Sequence, residues 1–298
     1  MISIIIPAYN YRTLNNAILS IFKQSINNLE IIIIDDSPNN EIQKIISALN
    51  HPKIQYYKNA HNLGTTRSRI KGINRSRGNY IGFLDDDDIM LNNGIEKQAA
   101  LLDKKSLDFV FCDYTINNVV HELVINKNMS CYEKNFTKSI LYSPGPFLQC
   151  CLFQKNFMLQ HIDYLNQFAE PSEDWNFFIH ISQHNLKIKH IPIVSFQWNL
   201  TKNSQSINYE KEALALEYII NQHYNYMKQN SIKSLSLQHR KLGSMFYYIG
   251  QYKKSQKLFK KSFLLYPVSI KNIIIILTHQ CPMAMYHWFM KMYVKKII

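Results

Sequence analysis

The stretch Tyr80-Ile81-Gly82-Phe83-Leu84-Asp85-Asp86-Asp87-Asp88 decides the fold, because an apolar run ends there in four consecutive carboxylates. The apolar half predicts a buried strand. Adjacent aspartates repel one another and raise each other's pKa, so the cluster favours a bound cation that neutralises it. Hard ions such as Mg²⁺ are usually held by one or two carboxylates together with the phosphates of a substrate. A solvated acidic turn after a strand is the alternative that this stretch alone leaves open.

Two apolar segments upstream also end in polar residues. Residues 3–7 predict a central strand that leads into a loop at 8–11, and residues 30–34 predict a strand that ends at Asp35 and Asp36. A helix with Thr13 as its N-cap is expected after the first strand.

Strands that alternate with helical patterns are typical of an α/β domain with a mainly parallel sheet. In such sheets ligands bind at the carboxyl ends of the strands. Residues 7–10, 35–36 and 85–88 all follow predicted strands, so they are expected to meet at one edge. An aromatic ring, separate acidic groups and nearby arginines would suit a nucleoside diphosphate with its metal.

The composition fits a globular chain of 298 residues with 46% hydrophobic residues and a net charge of +13. The charge is uneven, because residues 201–298 contain 15 Lys and Arg but only 3 Asp and Glu. The basicity therefore belongs to the C-terminal part and says little about the Asp cluster. Five cysteines without a C-x-x-C pair suggest neither a disulfide framework nor a zinc site, and they fit a cytoplasmic location.

Targeting and membrane-spanning segments are not expected. The chain begins as a strand, without the basic and apolar regions of a signal peptide. The apolar run at 273–277 is far shorter than the roughly 20 residues that span a bilayer.

Four segments, in this order and spacing, resemble glycosyltransferase family 2, whose members have a GT-A fold. They are Ser3-Ile-Ile-Ile-Pro-Ala-Tyr-Asn10, Glu30-Ile-Ile-Ile-Ile-Asp-Asp-Ser37, residues 62–72, and residues 78–88. A fifth, Glu173-Asp174-Trp175, is similar to the acceptor-side motif of the family. We accordingly expect a GT-A domain over 1–208, with a nucleotide-sugar-binding half at 1–114 and an acceptor half at 115–208, and a basic helical region over 209–298.

The resemblance implies a donor site at the first three strand ends. Base recognition is expected from Asp35 or Asp36, with Asp36 preferred, and from the segment Pro7, Ala8, Tyr9 and Asn10. A carboxylate that accepts the imide N–H of uracil, flanked by Tyr9, would select a pyrimidine. Arg69 is expected to meet the nucleotide or its diphosphate, whereas Arg67 stands where the family usually has a small residue. Each arginine could instead be an ordinary exposed helix residue.

Asp85-Asp86-Asp87 matches the D-x-D pattern of the family. The resemblance implies that Asp87 binds Mn²⁺ or Mg²⁺ directly, and that Asp85 contacts the ribose or binds the metal through water. Asp86 is grouped with the donor-binding residues, and Asp88 is expected to cap a following helix. The ion would neutralise charge on the departing diphosphate.

By the same resemblance, Asp174 takes the proton from the acceptor hydroxyl, in preference to Glu173. A base in this place, without a covalent nucleophile, implies single displacement with inversion. The alternative is a helix N-terminus at which acidic residues are favoured by the helix dipole.

The chain departs from the family pattern at Asn199 and Thr201, where the family often has an Arg and then a His. This puts a third metal ligand and one diphosphate contact in doubt, and Lys202 could substitute electrostatically. We expect His190 to be structural.

The C-terminal region predicts helices from residue 209. Part of it resembles one tetratricopeptide repeat, and since stable arrays need about three repeats, a helical hairpin is expected. The positions that carry this resemblance are Leu242, Gly243, Phe246, Gly250, Tyr252, Ser255, Phe259, Ser262 and Pro267. Its lysines and the apolar, aromatic tail at 273–298 would suit the inner face of an anionic membrane. A solvated lysine face is the alternative, and no recognition motif supports nucleic-acid binding.

Together these features predict a metal-dependent, inverting glycosyltransferase of the hexosyl or N-acetylhexosaminyl class. The expected donor is a UDP-sugar, and the expected acceptor is a hydroxyl of a surface glycan or a lipid-linked glycan. Two alternatives stay open: a nucleotidyltransferase, against which stands the lack of a Gly-rich phosphate loop after the first strand, and an inactive binding module on the same fold.

Overall fold

A computed structural model describes residues 1–91, 94–119, 121–201 and 208–278. The chain forms two compact units. The first comprises Met1–Phe136, Gly145–Gln167 and His180–Lys202, and the second comprises Thr137–Pro144, Phe168–Ile179 and Asn203–Ile298. The expected boundaries at 114 and 208 stay predictions.

The described strands of the first unit form one mixed sheet. They are β1 (Ile2–Ala8), β2 (Leu29–Asp35), β3 (Ile54–Lys58), β4 (Tyr80–Phe83), β5 (Ile89–Met90), β6 (Phe109–Asn118), β7 (Leu123–Lys127), β8 (Cys151–Gln154) and β9 (Ile188–Leu200). Their order is β3-β2-β1-β4-β8-β6-β9-β5, and β7 pairs with β6. The first four strands of this order are mutually parallel, while β8 is antiparallel to β4 and β6. The predicted α/β sheet with β1 as a central strand is confirmed.

The described helices lie after most of these strands and in the C-terminal region. They are α1 (Tyr11–Phe22), α2 (Glu41–Leu49), α3 (Thr65–Arg75), α4 (Gly94–Lys104), α5 (Ser130–Lys134), α6 (Phe136–Tyr142), α7 (Lys155–His161), α8 (Glu173–Ile181), α9 (Tyr209–Gln222), α10 (Tyr224–Asn230), α11 (Ile232–Tyr248), α12 (Tyr252–Leu265) and α13 (Ile270–Thr278).

Helix α1 begins three residues earlier than predicted. Its N-cap is Asn10, whose side-chain oxygen accepts a hydrogen bond from the backbone N–H of Arg12 at 3.2 Å. The prediction of Thr13 as the N-cap is wrong, because Asn10 already satisfies a free N–H of the first turn. The early start leaves only Tyr9 and Asn10 between β1 and α1, so strand end and helix start are closely coupled.

Helix α3 packs very closely on the sheet. Gly72 faces β1, and a Cβ atom at this position would run into Cγ2 of Ile5, which is fully buried. The absence of a side chain therefore lets α3 approach β1 and fixes the position of Arg69, one turn earlier on the same helix.

The second unit contains a helical hairpin. Helices α11 and α12 are joined at Gly250, whose φ of 83° favours glycine. Gly243 lies against the ring of Phe259, and the Ser255 hydroxyl donates to the Gly243 carbonyl at 2.7 Å. The predicted helical hairpin is confirmed, whereas its assignment as a tetratricopeptide repeat stays a prediction.

None of the helices in the described ranges has the length and apolar character required to cross a membrane. The tail at 279–298, including the predicted basic pair Lys295 and Lys296, lies outside those ranges.

Candidate active site

The ends of three parallel strands lie side by side at one edge of the sheet. Ala8 at the end of β1 is in register with Asp35 at the end of β2. Just beyond β4, the backbone N–H of Leu84 donates to the carbonyl of Ile5 at 3.1 Å. The predicted convergence of these loops is therefore present, and the Asp quartet adjoins the loop after β1.

Asp86 ties two of these loops together. One oxygen of its carboxylate accepts hydrogen bonds from the backbone N–H groups of Tyr9 and Asn10, each at 2.6 Å. Burial raises the pKa of Asp86 to about 7, the two N–H groups oppose the shift, and the charges of Asp87 and Asp85 add to it. In this structure Asp86 positions the loop after β1, and its contact with a donor stays a prediction.

Asp85 is held on both oxygens. It accepts a hydrogen bond from Nη2 of Arg69 at 2.6 Å and one from Nε2 of Gln149 at 2.5 Å. The Arg69 side chain is only 4% exposed and that of Asp85 is 29% exposed, so this ion pair is partly buried. Arg69 thus contacts the D-x-D segment directly, and its predicted contact with the diphosphate stays a prediction. Gln149 was not foreseen, because it lies in a segment that looks apolar.

Asp88 does not cap a helix, so that prediction is wrong. The next element is the short strand β5, and the buried Asp88 carboxylate accepts the backbone N–H of Asn199, on β9, at 2.8 Å. The side-chain Nδ2 of Asn199 donates to the Asp87 carbonyl at 2.7 Å. Asn199, one of the two departures from the family pattern, therefore braces the backbone of the quartet. Lys202 lies outside the described residues.

Asp87 differs from its three neighbours. Among the described residues, no other residue donates a hydrogen bond to its carboxylate. Burial, with the charge of Asp85 second, raises the pKa of Asp87 to about 6. A half-buried carboxylate that has no cationic partner among the residues the structure describes, beside further carboxylates, fits a hard divalent cation that takes oxygen ligands.

Asp35 and Asp36 have different surroundings. Asp35 is completely buried and accepts hydrogen bonds from the Ser37 backbone N–H, the Tyr56 hydroxyl and the Lys58 ammonium. Burial acts to raise its pKa, but the hydrogen bonds from Ser37, Tyr56 and Lys58 lower the pKa of Asp35 below its usual value. Asp35 is therefore part of the scaffold, and the preference for Asp36 in base recognition stays a prediction.

Asp36 holds the loop that leads into α3. Its carboxylate accepts Nδ2 of Asn59 and the backbone N–H groups of Leu63 and Gly64, each at 2.8 Å. Gly64 has a φ of 86°, so a glycine is favoured where its N–H turns toward the carboxylate. Contact of Asp36 with a base stays a prediction.

Tyr9 is an exposed aromatic residue at this edge. Its side chain is 58% exposed, whereas Ala8 is completely buried and Pro7 is half-buried. With the backbone of Tyr9 fixed by Asp86, the ring is available for a flat ligand.

The predicted base lies in the second unit, at the start of α8. Glu173 is buried, whereas Asp174 is half-buried and its Oδ1 accepts the backbone N–H of Trp175 at 2.6 Å. The indole Nε1 of Trp175 donates to the carbonyl of Ile140 at 2.7 Å, which anchors the first turn of the helix. The greater exposure favours Asp174 over Glu173 as a group that meets a substrate.

His190 has a structural partner. Its Nε2 lies 2.7 Å from Oδ1 of Asp113, and both residues are buried between β6 and β9. Asp113 also accepts the backbone N–H of Met129 at 2.7 Å. This pair joins the two strands and agrees with the structural role expected of His190.

The sequence model of glycosyl transferase family 2 matches residues 3–159 of this chain. With the GT-A architecture of the sheet and the acidic strand end, this match defines the class of protein. The chain belongs to glycosyl transferase family 2.

Two curated relatives illustrate the similarity. An uncharacterized glycosyltransferase of Haemophilus influenzae is 34% identical over 127 residues, which cover 40% of this chain and 51% of that protein. The chain thus spans about half the length of this relative. The UDP-Glc:alpha-D-GlcNAc-diphosphoundecaprenol beta-1,3-glucosyltransferase WfaP of Escherichia coli is 26% identical over 254 residues, covering 83% of this chain and 92% of that protein.

Solved structures share the fold. S. aureus TarS 1-349 in complex with UDP-GlcNAc has a TM-score of 0.59 at 14% identity, covering 99% of this chain and 92% of that one. The mannosyltransferase PcManGT from Pyrobaculum calidifontis in complex with GDP-Man and Mn²⁺ has a TM-score of 0.60 at 12% identity, covering 98% and 84%. At these identities the likeness shows the GT-A fold.

Proposed function

We propose that this protein is a metal-dependent, inverting glycosyltransferase that transfers a hexose or N-acetylhexosamine from a UDP-sugar. One observation carries the proposal: of the four carboxylates that follow β4, that of Asp87 is the one to which no other described residue donates a hydrogen bond. Arg69 and Gln149 hold Asp85, and backbone N–H groups hold Asp86 and Asp88. The described residues thus keep Asp87 in place without a hydrogen bond that would neutralise its carboxylate.

The residues present fit a divalent ion at Asp87, Mn²⁺ or Mg²⁺, with Asp85 nearby. When bound, such an ion neutralises charge on a departing diphosphate. On the protein side, Tyr9 offers an exposed ring against the base, and Asp36 lies at the neighbouring strand end as an acceptor for the uracil imide. Arg69 keeps Asp85 oriented through their partly buried ion pair.

Asp174 is proposed as the general base. Its carboxylate accepts the proton of the acceptor hydroxyl while that oxygen forms a bond to the anomeric carbon. The bond from the anomeric carbon to the diphosphate oxygen breaks at the same time, and UDP leaves with the electron pair. Because one displacement occurs, the configuration at the anomeric carbon is inverted.

The proposed acceptor is a sugar linked through diphosphate to a polyprenol, in surface polysaccharide synthesis. This rests on the E. coli relative. Its name specifies such an acceptor, and the match covers 92% of its length. A transfer assay with UDP-glucose or UDP-N-acetylglucosamine and polyprenyl-diphosphate-linked N-acetylglucosamine tests it. A lipid product of increased mass, absent when the metal is chelated, is the expected result.

Paired variants test the base. Asp174→Asn should retain UDP binding and reduce transfer by a factor on the order of 10²–10⁴, the usual contribution of general base catalysis. Glu173→Gln is the matched control, because it neutralises the neighbouring carboxylate without changing its size. Undiminished transfer by Asp174→Asn, or loss confined to Glu173→Gln, would show that the base is assigned wrongly.

We also propose that the C-terminal helices contact an anionic membrane on the cytoplasmic side. Large apolar side chains on and between α12 and α13 are exposed, at 69% for Leu264, 70% for Val268 and 73% for Ile270. Exposed lysines at 253, 257 and 260 accompany them on α12. Apolar and basic side chains together suit an anionic lipid surface, at about 1 kcal/mol per lysine.

Co-sedimentation with vesicles tests this contact. We expect binding to vesicles that contain phosphatidylglycerol and not to vesicles of phosphatidylcholine alone, with loss of binding in Ile270→Asp. Retention of the wild type in the supernatant with anionic vesicles would refute the membrane contact and leave a solvated lysine face.

A further inference from the structure

Three histidines of the first unit come together outside the site described above. His161 is the last residue of α7, His180 lies in the last turn of α8, and His184 follows that helix. One possible ligand nitrogen from each lies within 4.8 Å of the others. Nδ1 of His161 is 3.2 Å from Nε2 of His180. We call these three residues the histidine cluster.

These separations suit a metal ion. In a tetrahedral site with Zn–N bonds of about 2.0–2.1 Å, neighbouring ligand nitrogens lie about 3.3 Å apart. His161 and His180 already have this separation. The three residues between His180 and His184 give an H-x₃-H spacing, which zinc sites use.

Aromatic neighbours orient two of the three rings. The ring of Tyr164 stacks on His180 with an interplanar angle of 5°. The ring of Phe157 lies 4.7 Å from that of His161, centroid to centroid. His184 is exposed, so the third ligand can adjust, and one side of the cluster is open to solvent.

The electrostatic surroundings favour a cation. The C-terminal end of α8, where His180 lies, carries partial negative charge from the backbone carbonyls. Burial and the neighbouring His184 lower the pKa of His161, and Asp108 is near enough to oppose that shift. A negative carboxylate therefore lies close to the cluster on the β6 side.

The histidine cluster is separate from the candidate donor site. Helix α7 begins next to the start of β4, because the backbone N–H of Lys155 donates to the carbonyl of Asn79 at 2.8 Å. The Asp quartet follows the opposite end of β4. With a rise of about 3.3 Å per residue, the four residues of β4 alone separate the two ends by roughly 10 Å.

We propose that His161, His180 and His184 bind a divalent transition metal ion such as Zn²⁺, with water at the fourth position. Imidazole ligands suit Zn²⁺, Ni²⁺ and Cu²⁺, whereas carboxylates suit Mg²⁺ and Mn²⁺. Together with the ion proposed at Asp87, this would give the protein two metal sites of different chemistry. A metal at the histidine cluster would join the end of α7 to the end of α8.

Calorimetric titration of the full chain with Zn²⁺ in excess Mg²⁺ tests the proposal, because Mg²⁺ fills oxygen sites and leaves imidazoles free. We expect one Zn²⁺ per chain. Co²⁺ should give the visible absorption of a tetrahedral site. His184→Ala should weaken Zn²⁺ binding by at least roughly tenfold. His184 is exposed, so this variant should fold, and His180→Ala should weaken binding further.

His121→Ala is the matched control, because His121 is exposed and outside the cluster. It should bind Zn²⁺ like the wild type. The proposal is overturned if the wild type binds no Zn²⁺ under these conditions, or if His184→Ala and His180→Ala bind it with the affinity and stoichiometry of the control.

Discussion

Replacing Asp36 with alanine should destabilise the first unit substantially, because this carboxylate holds the loop between β3 and α3. Three donors would lose their acceptor: Nδ2 of Asn59 and the backbone N–H groups of Leu63 and Gly64, each now at 2.8 Å. Asp36 itself is only 7% exposed, so water cannot fully replace the carboxylate.

The magnitude follows from these three contacts. A hydrogen bond to a charged group contributes about 1.5–3 kcal/mol, and an unsatisfied buried donor costs about 1–3 kcal/mol. Leu63 and Gly64 are half-buried, so water recovers part of the loss. We therefore expect a net loss of about 2–4 kcal/mol. At about 2–4 °C per kcal/mol for a unit of this size, the unfolding midpoint should fall by roughly 5–15 °C.

Thermal unfolding followed by circular dichroism measures this effect. The unfolding midpoint of Asp36→Asn should lie between those of the wild type and Asp36→Ala. The amide oxygen still accepts hydrogen bonds, whereas the NH₂ group faces a donor. Asp103→Ala is the control, since that exposed carboxylate accepts a hydrogen bond from the Tyr80 hydroxyl at the surface. A midpoint for Asp36→Ala equal to that of the control would refute the structural role of Asp36.

Two further predictions concern packing and a buried acid. Gly72→Ala should lower the free energy of unfolding, measured by urea titration, by about 1 kcal/mol or more, because overpacking against Ile5 outweighs the gain in helix propensity. A variant as stable as the wild type, or more stable, would contradict the close packing of α3. Burial, partly opposed by the Ser172 hydroxyl and reinforced by Glu173, raises the pKa of Glu212 from 4.5 to about 7. The folded state thus holds a proton that the unfolded state releases, so wild-type stability should fall as pH rises from about 5 to 8. Glu212→Gln should flatten this dependence and be more stable at pH 8 by about 2 kcal/mol; an unchanged pH profile would show that Glu212 ionises normally.

The sequence predicted the parallel core of the sheet because its signals are local. The isoleucine runs of β1 and β2 and the apolar half of the 80–88 stretch each define a strand by themselves. The polar residues that follow them then had to meet at one edge.

Errors arose where distant segments decide the local structure. Asp88 precedes a two-residue strand that pairs with β9, more than a hundred residues later, so a helix cap was a reasonable but wrong expectation. Gln149 reaches Asp85 from a segment with no polar pattern, and Asn199 looked like a missing ligand although it braces Asp87 and Asp88. These contacts depend on strand pairing that a motif does not encode.

The histidine cluster escaped the sequence analysis for a similar reason. His180 and His184 show the H-x₃-H spacing, but His161 is 19 residues away from His180 on another helix. The cysteine spacing carries no signal for this cluster.

The most direct test of the proposed function is calorimetric titration of the protein with UDP and with GDP, each with and without Mn²⁺. We predict Mn²⁺-dependent binding of UDP in preference to GDP, and its loss in Asp87→Ala. Asp103→Ala, which removes a carboxylate far along α4, should bind like the wild type. UDP binding that is independent of Mn²⁺, or unchanged in Asp87→Ala, would contradict the central role assigned to Asp87.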